Sequence, residues 1–198
     1  MTFRIEEKLY IKKENLIQFQ EFLIKKAAKK LHYPRVIESL YFDNVNLEMY
    51  SDSIEGLAPR KKIRIRNYPN SKDKKSYLEI KNSSVEGRFK TRKSLNEDEF
   101  LLKRNAGILD EQYGACFPKL YVSYLREYSI VDDVRISIDK NIQYRDFKTG
   151  KLYNDNKIIV ELKTSSNKSQ DELVNDFPIQ RIRFSKYCFA IENLYNFN

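Results

Sequence analysis

The strongest constraint on this chain is a two-residue alternation that recurs along most of its length. In residues 3–11, Phe3, Ile5, Leu9 and Ile11 fall on one side of an extended backbone and Arg4, Glu6 and Lys8 on the other. Successive side chains of a strand point to opposite faces, so a period of two predicts strand. The pattern is clearest in residues 61–68, where Ile63 and Ile65 alternate with Lys62, Arg64 and Arg66. It returns in residues 38–43, 77–81, 88–94, 121–128, 134–139 and 157–164. Polar residues 69–75 and 82–87 read as turns, the first joining its neighbours into a hairpin. The period changes in residues 14–31, where Leu16, Phe19, Phe22, Leu23 and Ala27 recur at helical spacing, with Pro34 as the stop. Asn96 is placed to cap a helix reaching about residue 105, with acids in its first turn, and Ser185 to cap a last helix reaching about residue 195. Residues 171–177 read as a short helix.

Several function classes are excluded at once. The chain of 198 residues, 41% hydrophobic, is long enough for one domain with a real core. No run of 18 apolar residues is present to span a bilayer. The first ten residues carry Arg4, Glu6, Glu7 and Lys8 rather than the apolar stretch of a secretory leader. Cys116 and Cys188 match no zinc or redox spacing and read as buried thiols in a reducing cytoplasm. The single histidine, His32, is expected at a helix end and has no catalytic partner. Neither a P-loop nor a GxGxxG occurs, so side chains must hold any nucleotide.

Charge placement says more than its sum. With 37 Lys+Arg against 28 Asp+Glu, the net charge of +9 suggests an anionic partner. The polar strand faces hold Arg4, Lys8, Lys62, Arg64, Arg66, Lys81, Arg88, Lys90, Arg92, Arg126, Arg135 and Lys163. Only Glu6, Glu79, Asp139 and Glu161 oppose them. A face left in water usually mixes both signs with Ser and Thr, whereas like charges at i, i+2 and i+4 repel. The expectation is therefore an α+β fold: an eight-stranded antiparallel β-barrel with a charged lumen, flanked by a few helices. Eight strands leave room for one small ligand. Arg forks and Lys point charges suit phosphate oxygens. The acids suit a divalent ion with oxygen ligands, Mn²⁺ or Mg²⁺. Ser185-Lys186, at a predicted helix start, offers backbone N–H groups and a base to a phosphate.

Nine short motifs then occur in a meaningful order. They are Glu6-Glu7-Lys8-Leu9-Tyr10, Tyr41-Phe42-Asp43, Lys62-Ile63-Arg64-Ile65-Arg66, Leu78-Glu79-Ile80-Lys81 and Lys90-Thr91-Arg92, followed by Ser123-Tyr124-Leu125-Arg126, Arg135-Ile136-Ser137-Ile138-Asp139, Val160-Glu161-Leu162-Lys163 and Phe184-Ser185-Lys186-Tyr187. Together they resemble the VTC domain, the polyphosphate polymerase domain of the triphosphate tunnel (CYTH-like) metalloenzymes, over about residues 4–190. The resemblance implies one tunnel domain over residues 1–198. It implies an ATP-dependent phosphotransferase that adds the γ-phosphate to a growing polyphosphate chain with Mn²⁺ or Mg²⁺. It assigns Lys8, Arg64, Arg66, Lys81 and Arg126 to catalysis on phosphate. Lys90, Arg92, Arg135, Lys163, Arg183, Ser185 and Lys186 would bind phosphate, and Glu161 with Glu6 would hold the metal. Arg4 departs from the Glu-x-Glu-x-Lys start of other tunnel enzymes. The expected partners are ATP or another triphosphate and inorganic polyphosphate, not nucleic acid. The membrane and regulatory regions of eukaryotic relatives are missing from this sequence, so a membrane-protein partner has no identity here. The alternatives are a tripolyphosphate or nucleoside triphosphate hydrolase, a non-catalytic polyphosphate sensor, and a single-stranded nucleic-acid binder using the 13% aromatic content.

Overall fold

A computed structural model of the chain describes residues 5–71, 75–164, 171–172, 177 and 180–195. In chain order its strands are β1 (Ile5–Ile11), β2 (Lys29–Asp43), β3 (Arg60–Asn67), β4 (Ser76–Ser84), β5 (Gly87–Leu95), β6 (Ile108–Asp110), β7 (Gly114–Val131), β8 (Val134–Asp146), β9 (Leu152–Asp155), β10 (Ile158–Thr164) and β11 (Gln180–Arg181). Among the described residues, helices with both ends placed are α1 (Leu16–Lys25), α2 (Glu48–Glu55), α3 (Glu97–Ala106) and α4 (Lys186–Leu194), and a 3₁₀ turn spans Lys13–Asn15.

The strands follow the order β11-β1-β10-β8-β7-β2-β3-β4-β5, with β6 beside β7 and β9 beside β8. This overturns the expected closed eight-stranded barrel. The hydrogen-bonded path of the 11-stranded sheet has two ends, β11 and β5, and the sheet is neither closed nor strongly curled. Alternation reports which face a residue occupies and carries no information on whether two edges meet. Closure also needs two edges long enough to pair with a consistent stagger, and β11 is only two residues long. The premise that crowded cations demand an enclosed lumen fails as well, because buried acids meet them on the sheet face.

The chain divides into two compact units. The first comprises Met1–Arg35, Tyr124–Ile142 and Asp155–Phe184. Here β1 pairs antiparallel with β10, and β10 with β8. Leu9, Ile11, Ile136, Ile138, Val160 and Leu162 enter one core, closed by Phe19 and Leu23 of α1. Each fully buried aliphatic chain contributes about 2 kcal/mol. Helix α1 ends at Lys25, short of the predicted residue 31. Ala27 adopts a left-handed φ of 52°, and the Ala28 N–H closes back on Leu23 O. Lys29–Arg35 are exposed and extended within β2, so Pro34 sits in a strand and does not stop a helix. His32 is likewise a strand residue, its ring edge-on to Tyr128 at 5.5 Å. Glu7 falls on the apolar side of β1 and is buried against Arg181 at 2.9 Å.

The second unit comprises Val36–Ser123, Gln143–Asn154 and Ser185–Asn198. Its centre is the meander β2-β3-β4-β5. Ile63 and Ile65 are fully buried, as the alternation requires. Helix α2 escaped prediction because Met49 and Ile54 alone give no periodicity. It is held by Asp43, whose carboxylate accepts from the N–H groups of Met49 and Tyr50. Helix α3 starts with a capping box: Asn96 Oδ1 accepts from Glu99 N at 2.8 Å, and Glu99 Oε2 from Asn96 N at 3.1 Å. Helix α4 buries Tyr187, Cys188, Ala190, Ile191 and Leu194. Both cysteines are free and buried. Among the described residues no helix is long and apolar enough to cross a membrane. Residues 72–74 of the first predicted turn and most of the predicted 171–177 helix lie outside the described residues, as does Arg4.

Candidate functional site

Each unit carries its own cluster of cations around a buried acid. In the second unit, strand register sets the rows. Tyr41 of β2 lies opposite Arg64 of β3, Arg64 opposite Glu79 of β4, and Glu79 opposite Arg92 of β5. The adjacent row runs Lys62, Lys81, Lys90. Glu79 is 2% exposed and sits at the centre. Arg64 donates to it through Nε and a terminal nitrogen at 2.8 and 2.6 Å, and Lys90 Nζ at 2.5 Å. Arg66 and Arg92 stand 3.7 Å away. Burial alone would raise the Glu79 pKa. The charges of Arg66, Arg64 and Lys90 outweigh it and hold the carboxyl at about 2. One carboxylate thus meets four cations, leaving an excess of positive charge.

Tyrosines fix the orientation of these cations. The Arg64 guanidinium donates to the Tyr41 hydroxyl at 2.9 Å and lies over its ring. Tyr41 stacks on Tyr187 of α4 at 5.3 Å, and the Tyr187 hydroxyl donates to Asp43 at 2.6 Å. Arg92 lies 3.8 Å from the centroid of Tyr77. This stack holds the start of α4, with Ser185 and Lys186, beside Lys62: Lys62 Nζ donates to Ser185 Oγ at 2.9 Å. Ser185 Oγ also accepts from Cys188 N and caps the helix.

In the first unit, Lys8 lies opposite Glu161 and Glu6 opposite Lys163, which in turn faces Arg135 of β8. Glu161 is buried. Lys163 stands 3.4 Å from it, Arg126 3.6 Å, and Ser137 Oγ donates at 3.5 Å. Lys163 Nζ also stands 3.8 Å from Glu6. Burial pushes the Glu161 pKa up. The Glu6 hydrogen bond and the charges of Arg126, Lys163 and Lys8 reverse this and hold it well below the usual carboxylate range. Arg126 makes a bidentate pair with the buried Asp139 at 2.5 and 2.7 Å. Lys8 Nζ donates to Phe184 O at 2.7 Å, tying β1 to the segment before α4.

The sequence-assigned residues therefore fall into two sets. Lys8, Arg126, Lys163, Glu6 and Glu161 gather in the first unit. Arg135 lies opposite Lys163 and is exposed, and Arg183 is exposed between β11 and α4. Arg64, Arg66, Lys90 and Arg92 gather on Glu79 in the second unit, with Lys81, Ser185 and Lys186 in the adjacent row and at the helix start. None of them lines a closed lumen. The family resemblance assigned no role to Glu79, Asp139, Tyr41 or Lys62, although charge placement had put Lys62 and the two acids on the polar strand faces. The signal for the two acids was present, since each is a lone carboxylate on a strand face crowded with bases.

Among the described residues no group of three or more His, Cys, Asp or Glu side chains is placed to hold a metal. Glu6 and Glu161 nevertheless share one cation, Lys163, whose Nζ stands 3.8 Å from the first and 3.4 Å from the second. Mg²⁺-type ions commonly take one or two carboxylates and complete their shell with water and phosphate oxygens. The pair thus fits an ion that arrives with phosphates rather than a cage made wholly of protein.

The family model of the VTC domain matches residues 3–195. No curated protein matches the chain. Among solved structures, a candidate adenylate cyclase from Bacillus halodurans is 14% identical, with the match covering 99% of this chain and 100% of that one, at a TM-score of 0.64. A candidate adenylate cyclase from Vibrio parahaemolyticus is 12% identical over 94% of this chain and 96% of that one, TM-score 0.59. The PH1819 protein from Pyrococcus horikoshii is 15% identical over 96% and 99%, TM-score 0.59. At such identities the likeness concerns the fold.

Proposed function

The chain belongs to the VTC domain family, and on that premise we propose that it is a metal-requiring phosphotransferase that moves the γ-phosphate of ATP onto a growing polyphosphate chain. Family membership supports a triphosphate-handling enzyme in general. The observation that carries the finer reading is the Glu6–Glu161 carboxyl pair set among Lys8, Arg126 and Lys163. Acids inside a basic cluster are what phosphoryl transfer to and from polyanions requires, since it depends on positioning and charge stabilisation more than on covalent chemistry.

Glu6 and Glu161 would hold Mn²⁺ or Mg²⁺, which neutralises charge on phosphate oxygens when bound. Lys8, Arg126 and Lys163 stabilise the charge that builds on the transferred group. Arg64, Arg66, Lys90 and Arg92 hold phosphate oxygens by exchanging Glu79 for them, and Lys81, Arg135, Arg183, Ser185 and Lys186 add further phosphate contacts. A terminal oxygen of the acceptor chain attacks the γ-phosphorus, the bond to the bridging oxygen breaks, and ADP leaves with that oxygen.

Purified protein incubated with ATP and Mn²⁺ or Mg²⁺, its products resolved on a gel, tests this. Long polymer is expected, and Glu161→Gln should lower its rate on the order of 10²-fold or more while the thermal transition persists. Release of free phosphate in place of polymer would establish a hydrolase instead. Tight polyphosphate binding without nucleotide turnover would establish a sensor.

A further inference from the structure

Lys62 has no part in the roles assigned above, yet its ammonium is tied to the start of α4. Its Nζ lies 2.9 Å from Ser185 Oγ. The same oxygen accepts from Cys188 N at 3.4 Å. A serine hydroxyl has two acceptor positions and one proton. With Lys62 and Cys188 occupying both acceptor positions, the proton is the only hydrogen-bonding capacity left, and it points away from both donors.

We propose that Lys62 is a positioning residue: its ammonium turns the Ser185 hydroxyl so that the single proton faces out from the start of α4 and is donated to a phosphate oxygen. This rests on the reading of Ser185 as a phosphate contact. The new element is that the donor is aimed by a charge on a different strand. A neutral Lys62 would do the opposite. An amine carries a lone pair, and a hydroxyl beside it donates O–H to N. The hydroxyl would then show the phosphate an oxygen lone pair, which repels it. Phosphate affinity is thereby coupled to the titration of one half-buried lysine.

The surroundings set where that titration falls. Lys62 feels the charges of Tyr41 of β2, Lys81 of β4, Arg60 on its own strand and Cys188 of α4, and Lys186 at the start of α4 acts on the same Tyr41. Burial lowers the Lys62 pKa from its ordinary 10.5. Lys81 and Arg60 push the same way, while Cys188 and Tyr41 oppose them. The ammonium persists below this lowered pKa and is lost as pH rises through it. Part of the phosphate affinity should therefore disappear on the alkaline side before ordinary lysines titrate.

The test measures tripolyphosphate affinity by calorimetry from pH 7 to pH 10 for the wild-type chain, Lys62→Arg, Lys62→Met and Ser185→Ala. Side-chain NMR follows the Lys62 titration in the ligand-free wild type and in Ser185→Ala. Wild-type affinity is expected to fall by about tenfold more than that of Ser185→Ala over this range, the worth of one charge-assisted hydrogen bond. Lys62→Arg, which does not titrate, should keep its affinity to higher pH. Lys62→Met should match Ser185→Ala at pH 7. Removing the hydroxyl acceptor should move the Lys62 titration further down in the free protein. Equal pH slopes in wild type and Ser185→Ala, or a Lys62 titration indifferent to Ser185, overturn the inference alone. Absence of tripolyphosphate binding by the wild type at pH 7 overturns the phosphate reading as well.

Discussion

Glu79 is the residue on which the second unit's electrostatics turn. It is an internal counter-ion, buried and held by Arg64 and Lys90, with Arg66 and Arg92 close by. Taking one partner out of a buried ionic network costs about 3 kcal/mol, because the remaining charges lose their compensation. Glu79→Gln should therefore melt earlier than wild type without ligand. A polyanion supplies the missing negative charge, so tripolyphosphate should raise the melting temperature of this variant more than that of wild type. Thermal scans with and without ligand decide it, and an equal gain in both would mean that phosphate does not replace the carboxylate. Acid has a related effect. The folded pKa of about 2 lies below the ordinary value of 4.5. The stabilisation from Glu79 is complete above that ordinary range and is lost as pH falls from about 4.5 toward about 2.

At the scale of elements, the strands were the most legible part of the sequence. Period-two alternation located β1, β3, β4, β5 and β10 to within a few residues, because charged side chains recur at every second position along them, although β5 is exposed along most of its length and β10 is buried on both faces. The helix boundaries show why the rest was harder. Helix α1 stops at Lys25 because the chain is drawn into the sheet at Lys29, a tertiary demand that local apolar spacing does not register. β7 and β8 extend well beyond the alternating segments that announced them. Of the candidate site, the bases were readable as types on faces. The acids that organise them were not readable as centres, since register decides which carboxylate lies opposite which guanidinium. The helix caps were legible for a chemical reason, because the side chains that satisfy backbone N–H groups are few. Asn96→Ala should cost about 1 kcal/mol and lower the melting temperature by about 2–4 °C. Tripolyphosphate affinity should be unchanged, because α3 contributes no residue to either cation cluster. A shift in affinity would tie α3 to the site.

At the scale of the molecule, the net charge of +9 sets a field that the clusters concentrate. The eight-stranded closed form expected from sequence was wrong for a reason of scale: every strand was read singly, and closure is a property of none of them. What survives is the charge pattern itself. Interactions among partly exposed charges weaken as added ions shorten their range. Raising ionic strength from 0.05 to 0.5 M should therefore weaken tripolyphosphate binding on the order of tenfold. Calorimetry at fixed pH measures it. An affinity indifferent to salt would show that the cationic clusters are not what holds the ligand.

The open end of the sheet has a consequence for solubility. β5 is exposed along most of its length and presents Arg88, Lys90, Arg92 and Lys93 at the last rung of the ladder. An unpaired rung is an invitation to a second chain, and positive side chains are a common deterrent. Here the deterrent is made of the same charges that a polyanion neutralises. On the proposed function, a long phosphate polymer lying across two molecules would cancel their mutual repulsion, and the ligand that steadies one copy would also act as glue between copies.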